Sequence, residues 1–394
     1  MANKFFFSRD TKVTAKMGSG VFEIPVLDGF SFSQAQNIQD IAFNEAADAS
    51  GESSRGREAV VNSLAPAEWS FSTYIRPFKT LGDSTAGNAD KNGGADDHHL
   101  VEEVLWAMLA GADTYTVTSG SADPAFTRDS NNVIAFSDTA AGSTLTFGQS
   151  NKTTLGTADL EFVLNSGDTS SDKVYKISQC VVNEVTIDFD IDGIATAQWS
   201  GFGTLITDLA SSPTAATVYE DVTATDNMIR NRLSAATIAA NSGNSTGAIA
   251  AYDITLTGGS ITISNNITYL TPETLGQVNT PLGHVTGTRT VTGTLNCYLN
   301  NEDAALNSTG LFEDMAVTNK LDRKTSFNVA LFIGGETGSG VINGPGMKIT
   351  MPTCHFEIPT HDFGDIISLE TAFHALPSTH DGTNEISAID FVGA

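Results

Sequence analysis

Two stretches of this chain run in the same phase, and that repetition constrains the fold more than any single motif. Phe30-Ser31-Phe32-Ser33 and Ile261-Thr262-Ile263-Ser264 both alternate apolar and polar residues. Lys176-Ile177-Ser178 recurs as Lys348-Ile349-Thr350, and Asp190 and Ile194 fall on Asp362 and Ile366 at the same offset of 172. Few residues are identical, so what repeats is an order of elements. Each half reads as a strand, a long loop, a strand, a helix, then a strand, a Gly-rich turn and two more strands. Alternation of period two puts the apolar residues of each strand on one face. Two similar β modules on one chain can occupy neighbouring positions of a ring, which makes a repeating assembly the first hypothesis.

The boundaries follow from this pattern. The first module spans residues 1–206, residues 207–250 form an Ala/Ser/Thr/Asn-rich linker, and the second module spans 251–394. Residues 113–157 have no counterpart in the second half and read as an inserted, weakly alternating β decoration or as flexible loops. The clearest helix follows the Asp/Gly/Asn cluster of residues 82–97. Leu100, Val101, Val104, Leu105, Met108 and Leu109 make one apolar stripe, with Asp96 or Asp97 to cap it and Gly111 to end it. A weaker helical pattern holds Leu306, Leu311, Phe312 and Met315. In both modules a long loop, about twenty residues in the first, separates the same two strands, and loops of that length are usually functional or disordered. They cover residues 43–66 and 271–287.

Composition excludes several functions. Of 394 residues, 46 are acidic and 20 basic, a formal charge of −26. Such an excess opposes gripping phosphate backbones, which takes Lys and Arg to displace counterions. It suits a wall that repels DNA. Charged residues make up 17% of the chain, against a usual figure of about 25%, as expected of β surfaces covered by neighbours. Cys180, Cys297 and Cys354 are isolated and odd in number, so neither a disulfide framework nor a zinc knuckle is indicated, and they read as small core residues. The opening Phe5-Phe6-Phe7 is too short for a signal-peptide core. No stretch approaches the roughly 18 apolar residues of a membrane span. A reducing, soluble compartment is therefore expected.

Motif by motif, chemistry is not indicated. Asp188-Phe189-Asp190-Ile191-Asp192-Gly193 opens like an EF-hand loop, but its twelfth position is Trp199 and its flanks alternate like a strand. Read as a strand, it sets Val185, Ile187 and Phe189 against Glu184, Thr186, Asp188, Asp190 and Asp192. The second set is an acidic stripe, either solvated or facing a lumen. The histidines lack metal-binding spacing. Gly334–Gly340 lacks the lysine of a phosphate loop and reads as a hairpin turn. Neither catalytic residues nor a cofactor or metal site is expected. Arg55, Arg57 and Glu58 lie in the first long loop, where they are either solvated or form a docking arm that pairs with a neighbour's acidic surface.

Taken together, the Phe30–Gln34 strand, the long loop, Pro66-Ala67-Glu68-Trp69-Ser70-Phe71-Ser72-Thr73-Tyr74-Ile75-Arg76-Pro77, the helix Asp97–Gly111 and the strands Val174–Gly203 resemble the tail tube proteins of long-tailed bacteriophages. The resemblance implies a mainly β fold: two tandem tail-tube-like sandwich or barrel domains, each with one flanking helix, plus the β-rich insertion on the outside. Most relatives of this kind carry one domain and form hexamers. This chain departs by carrying two, like the members that build a ring from three chains. The resemblance further implies a structural, non-enzymatic virion protein, assembled in the host cytoplasm into stacked trimeric rings. Its partners would be itself and the tape measure, terminator and baseplate proteins. DNA would pass through its acidic lumen without specific binding, with no membrane involved, and the loops would dock ring on ring. A phage or cell-surface adhesion or decoration protein built from β-sandwiches is the alternative.

Overall fold

The computed structural model describes residues 6–18, 20–41, 50, 58–79, 98–118, 122–128, 133–134, 136–139, 141–147, 155–165, 172–209, 227–240, 251–252, 254–301, 307–316, 327–335, 342, 344–379, 382 and 384–393. Its main feature is one long antiparallel sheet of eight strands, numbered here in chain order. They are β1 (Ser31–Ile41), β2 (Glu58–Tyr74), β3 (Lys173–Asp190), β4 (Thr196–Gly203), β5 (Leu256–Ser264), β6 (Thr290–Tyr298), β7 (Thr360–Phe363) and β8 (Ile367–Ala375). In space they run β1–β2–β4–β3–β5–β6–β8–β7. The order of the first four is the order of the last four. The mainly β fold is as the sequence indicates.

Alternation explains why these residues make strands. In β4, Ala197, Trp199 and Gly201 are buried while Gln198 is exposed; in β8, Leu369, Thr371, Phe373 and Ala375 are buried while Glu370 is exposed. The apolar face of the long sheet packs on a second layer. Phe32 of β1 lies 4.6 Å from Phe162 in the outer strand Ala158–Leu164. β3 belongs to both layers. Its first part pairs with Ala158–Leu164 and Ile206–Leu209, its second part with β4, and Gln179 takes a positive φ of 52° where the strand changes layer. Gly346–Phe356 does the same in the second half, pairing with Phe327–Ile333 and then with β8. Strands that change sheets at a bend are how orthogonal sandwiches make their corners.

Three sequence expectations change. The helix is α1 (Glu103–Leu109), shorter than residues 97–111 and buried on every side instead of one stripe. Core surrounds it: Trp106 stacks edge-on to Trp199 at 4.9 Å and to Phe391 at 5.4 Å. Upstream, His98–Leu100 is not helical and pairs with Pro77–Lys79; Asp96 and Asp97 lie outside the described residues, and Gly111 follows the helix at φ 91°. The long loops are shorter than residues 43–66 and 271–287, because their flanks form hairpins. Gln36–Ile41 pairs with Glu58–Leu64, and Ile267–Leu270 pairs with Gly283–Thr286. The inserted segment is not merely a decoration. Tyr115 and Phe126 stack on Phe22 at 5.0 and 5.5 Å, and Ser143–Leu145 pairs with Ile389–Phe391 of the C-terminal strand. Within residues 207–250, Ala235–Ala240 is a strand on Phe327–Ile333. The second helix, α2 (Ser308–Ala316), buries Leu311. All three cysteines are buried, and burial pushes the Cys297 and Cys354 thiols up to about 11 and about 12.

The start of α1 holds buried charge. The Arg76 amide donates to Glu102 Oε1 at 3.1 Å, and His99 Nδ1 lies 3.0 Å from Glu103 Oε2. Burial raises Glu102 to about 7 despite the opposing pull of Arg76. A carboxyl whose folded value exceeds its unfolded one stabilises most in acid, and the contribution is lost as pH rises through about 7. Thermal melts of wild type and Glu102→Gln between about pH 5 and 8 test this. We expect the wild type to lose Tm relative to the variant as pH rises. A constant difference contradicts the assignment.

Candidate functional site

The face of the long sheet opposite the core is mostly polar, with Tyr74, Phe202 and Ala372 among its alternate positions. Ser31, Ser70, Ser72, Thr186, Gln198, Ser200, Ser260, Thr262, Thr292 and Thr294 occupy it, and hydroxyls bond across strands. Ser31 Oγ lies 2.9 Å from Ser70 Oγ, Thr186 Oγ1 3.0 Å from Thr262 Oγ1, and Ser260 Oγ 3.1 Å from Thr294 Oγ1. Its charges are carboxylates: Glu68, Glu184, Asp188, Asp190, Asp362 and Glu370. The described alternate positions on this face carry neither lysine nor arginine. Gln198 Nε2 donates to Asp188 Oδ2 at 3.1 Å.

Of the acidic stripe expected from sequence, Glu184, Asp188 and Asp190 fall on this face of β3. Asp192 lies beyond the strand, in the turn, with Oδ1 3.2 Å from Arg232 in an exposed ion pair. A groove of about 490 Å³ beside Asp188, Asp190 and Asp192 also touches Asn231 and Asn296. Among the described residues, no three His, Cys, Asp or Glu side chains converge to hold a metal. Of the docking residues, Glu58 begins β2, exposed and paired with Ile41, while Arg55 and Arg57 lie outside the described residues.

The two halves meet where β3 pairs with β5, from Glu184–Ser264 to Asp190–Gly258. Phe189 faces Gly259 there, and a Cβ on that glycine would come within 2.3 Å of the Thr294 carbonyl, so only glycine fits. Two asparagines close one end of the junction. The Asn265 amide N–H donates to the Asn183 carbonyl at 2.8 Å, and the Ile267 N–H donates to Asn183 Oδ1 at 2.8 Å. Asn265 Nδ2 donates to the carbonyls of Val182 at 3.2 Å and Leu109 at 3.1 Å, so the second half caps the helix of the first. Sequence reasoning missed this clasp. Its signal was slight: a polar Asn265-Asn266 pair directly after a clean alternation.

At the outer ends of the sheet, β1 pairs with β2 and β7 with β8, and neither has a second partner strand among the described residues. The hairpin arms project from the end of the sheet opposite the β7–β8 turn. They are bonded to each other, with Leu64 N–H donating to the Asn279 carbonyl at 2.9 Å and Asn279 N–H to the Asn62 carbonyl at 3.1 Å. Leu275 and Leu282, 101% and 71% exposed, and Ile38 and Val60 give the arms apolar surface toward solvent.

This is the architecture of a wall segment: one largely polar, acidic face, two edges that lack a second partner strand among the described residues, and projecting arms. A family model described as phage tail tube protein matches residues 10–375. Tail tube protein pb6 of Escherichia phage T5 is 30% identical over 391 residues, covering 96% of this chain and 74% of that protein. The chain belongs to the phage tail tube protein family. It is a structural subunit of the virion tail and not a member of an enzyme family.

Asn265→Ala should lower stability by about 1–3 kcal/mol, since two buried carbonyls lose their donor. A denaturant midpoint equal to wild type would show that the clasp is dispensable.

Proposed function

We propose that three copies of this chain close a ring in which two tandem modules, residues 1–206 and 251–394, stand at alternate positions of a pseudo-sixfold barrel. The observation that carries this reading is the β3–β5 junction. It sets two four-strand units of the same order edge to edge and leaves β1 and β7 without outer partners among the described residues. Unpaired edges invite further strands, and closure into a barrel removes them.

The polar face then lines the bore. Glu184, Asp188 and Asp190 repel the phosphates of passing DNA, so there is no counterion-release gain to hold it. Rings stack through the hairpin arms, with Arg55, Arg57 and Glu58 pairing with carboxylates of the next ring and the exposed leucines adding apolar contact. Tube growth starts and stops on other tail proteins: a tape measure, a terminator and a baseplate. A charge of −26 per chain keeps free subunits apart until such a surface is offered.

Electron microscopy of assembled tubes tests the copy number. Three copies per ring are expected, and any other count removes the proposal. Glu184→Lys with Asp188→Lys and Asp190→Lys should leave tubes intact but slow DNA ejection in a salt-dependent way; unchanged ejection argues against a lumenal stripe. Arg55→Glu with Arg57→Glu should cut assembly length and yield. Unchanged length and yield remove the docking role.

A further inference from the structure

We propose that the seam between neighbouring copies is a weakened repeat of the β3–β5 junction, with Glu357 of one copy opposite Ser31 of the next and Thr360 opposite Gly29. The inference rests on the ring reading above. Its register comes from carrying the internal repeat strand by strand across the sheet. Phe32 faces Trp69 as Ile263 faces Val291, and Trp69 faces Gly201 as Val291 faces Ala375. Five pairs further along, Tyr74 faces Thr196 as Asn296 faces Glu370, and Thr196 faces Asp188 as Glu370 faces Thr360. Thr360 is therefore the counterpart of Asp188, at an offset of 172. That is the offset separating Lys176-Ile177-Ser178 from Lys348-Ile349-Thr350, a match found independently in the sequence. Likewise, Glu357 N–H donates to the Ala372 carbonyl at 2.9 Å, at the level where Thr186 pairs with Gln198. Within the chain, Thr186 faces Thr262 and Asp188 faces Ser260. Applied to the edges, the same rule sets Glu357 on Ser31 and Thr360 on Gly29. Gly29 lies in the turn just before β1 at φ 96°, and a Cβ there would meet nothing within 4 Å.

The seam lacks the internal junction's locks. Where β3 has Ile187, paired with Ile261, the second half has two residues, Ile358 and Pro359. The extra residue makes a bulge and the proline has no N–H to give, and both are devices that blunt sheet edges. The asparagine clasp is also missing. Gln34, within β1, stands at the position that Asn265 takes just past β5, but its side-chain amide bonds within its own chain, to the carbonyls of Ala65 at 2.8 Å and Thr204 at 2.9 Å. The seam therefore closes when a growing end holds both copies, and free subunits stay apart.

Paired cysteines read the register. Ser31→Cys with Glu357→Cys should cross-link neighbouring copies in oxidised tubes and run as covalent trimers on non-reducing gels, with the three buried native cysteines silent. Thr186→Cys with Thr262→Cys should close within free monomers and calibrates the geometry. Three-copy rings whose Ser31→Cys/Glu357→Cys chains stay uncoupled overturn the register while the ring reading stands; rings of another count overturn both. Deleting Ile358 together with Pro359→Ile tests the guard without cysteines. We expect a subunit concentration for spontaneous assembly about tenfold lower, equivalent to about 1.4 kcal/mol. An unchanged concentration overturns the weakened seam.

Discussion

Seven residue pairs, Glu184–Asp190 on Ser264–Gly258, hold the two halves of this molecule together as one sheet. Because the side-chain period of a strand is two, that register decides which residues of both halves share a face. A slip by one residue would turn Ile261 and Ile263 away from the core and bring Thr262 into it. The hydroxyl bond between Thr186 and Thr262, Phe189 above Gly259 and the Asn183–Asn265 clasp all hold the register in place. The continuous polar face is a consequence of it.

The two faces of this sheet carry different chemistry. Toward the core, Trp69, Trp199, Val185, Ile187 and Phe373 are almost fully buried, and their removal from water drives the packing of the two layers. On the other side, short hydroxyl side chains saturate one another, and the charges among them are carboxylates. The described alternate positions of that surface carry neither lysine nor arginine. The arms are different again, with apolar side chains exposed beyond the sheet end, a kind of patch that marks an interaction surface.

Much of this was legible in the sequence because a two-residue period survives in both halves. The offset of 172 between β3 and its counterpart appears in the letters and again in the strand ladders. The helix was misjudged in extent because burial on all sides removes the polar face that marks a helix end. Glu102 and Glu103 lie inside, where the Arg76 N–H donates to Glu102 Oε1 and His99 Nδ1 lies beside Glu103 Oε2. The arms read as loops because a solvent-exposed hairpin has no apolar face to give alternation a rhythm. Asp192 was grouped with the stripe by spacing, although the strand ends at Asp190. The partner of the inserted strand, Ile389–Phe391, lies far away in sequence, and no local pattern announces such a pairing.

Amide hydrogen exchange on free subunits and on assembled tubes tests the central claim most directly. The account predicts that Val185–Phe189 and Gly259–Ile263 exchange slowly in both states. Gly29–Gln34 and Glu357–Asp362 should slow further only on assembly. Edge segments equally protected in both states, or a junction that exchanges freely in the subunit, would contradict a sheet joined within the chain and completed between chains.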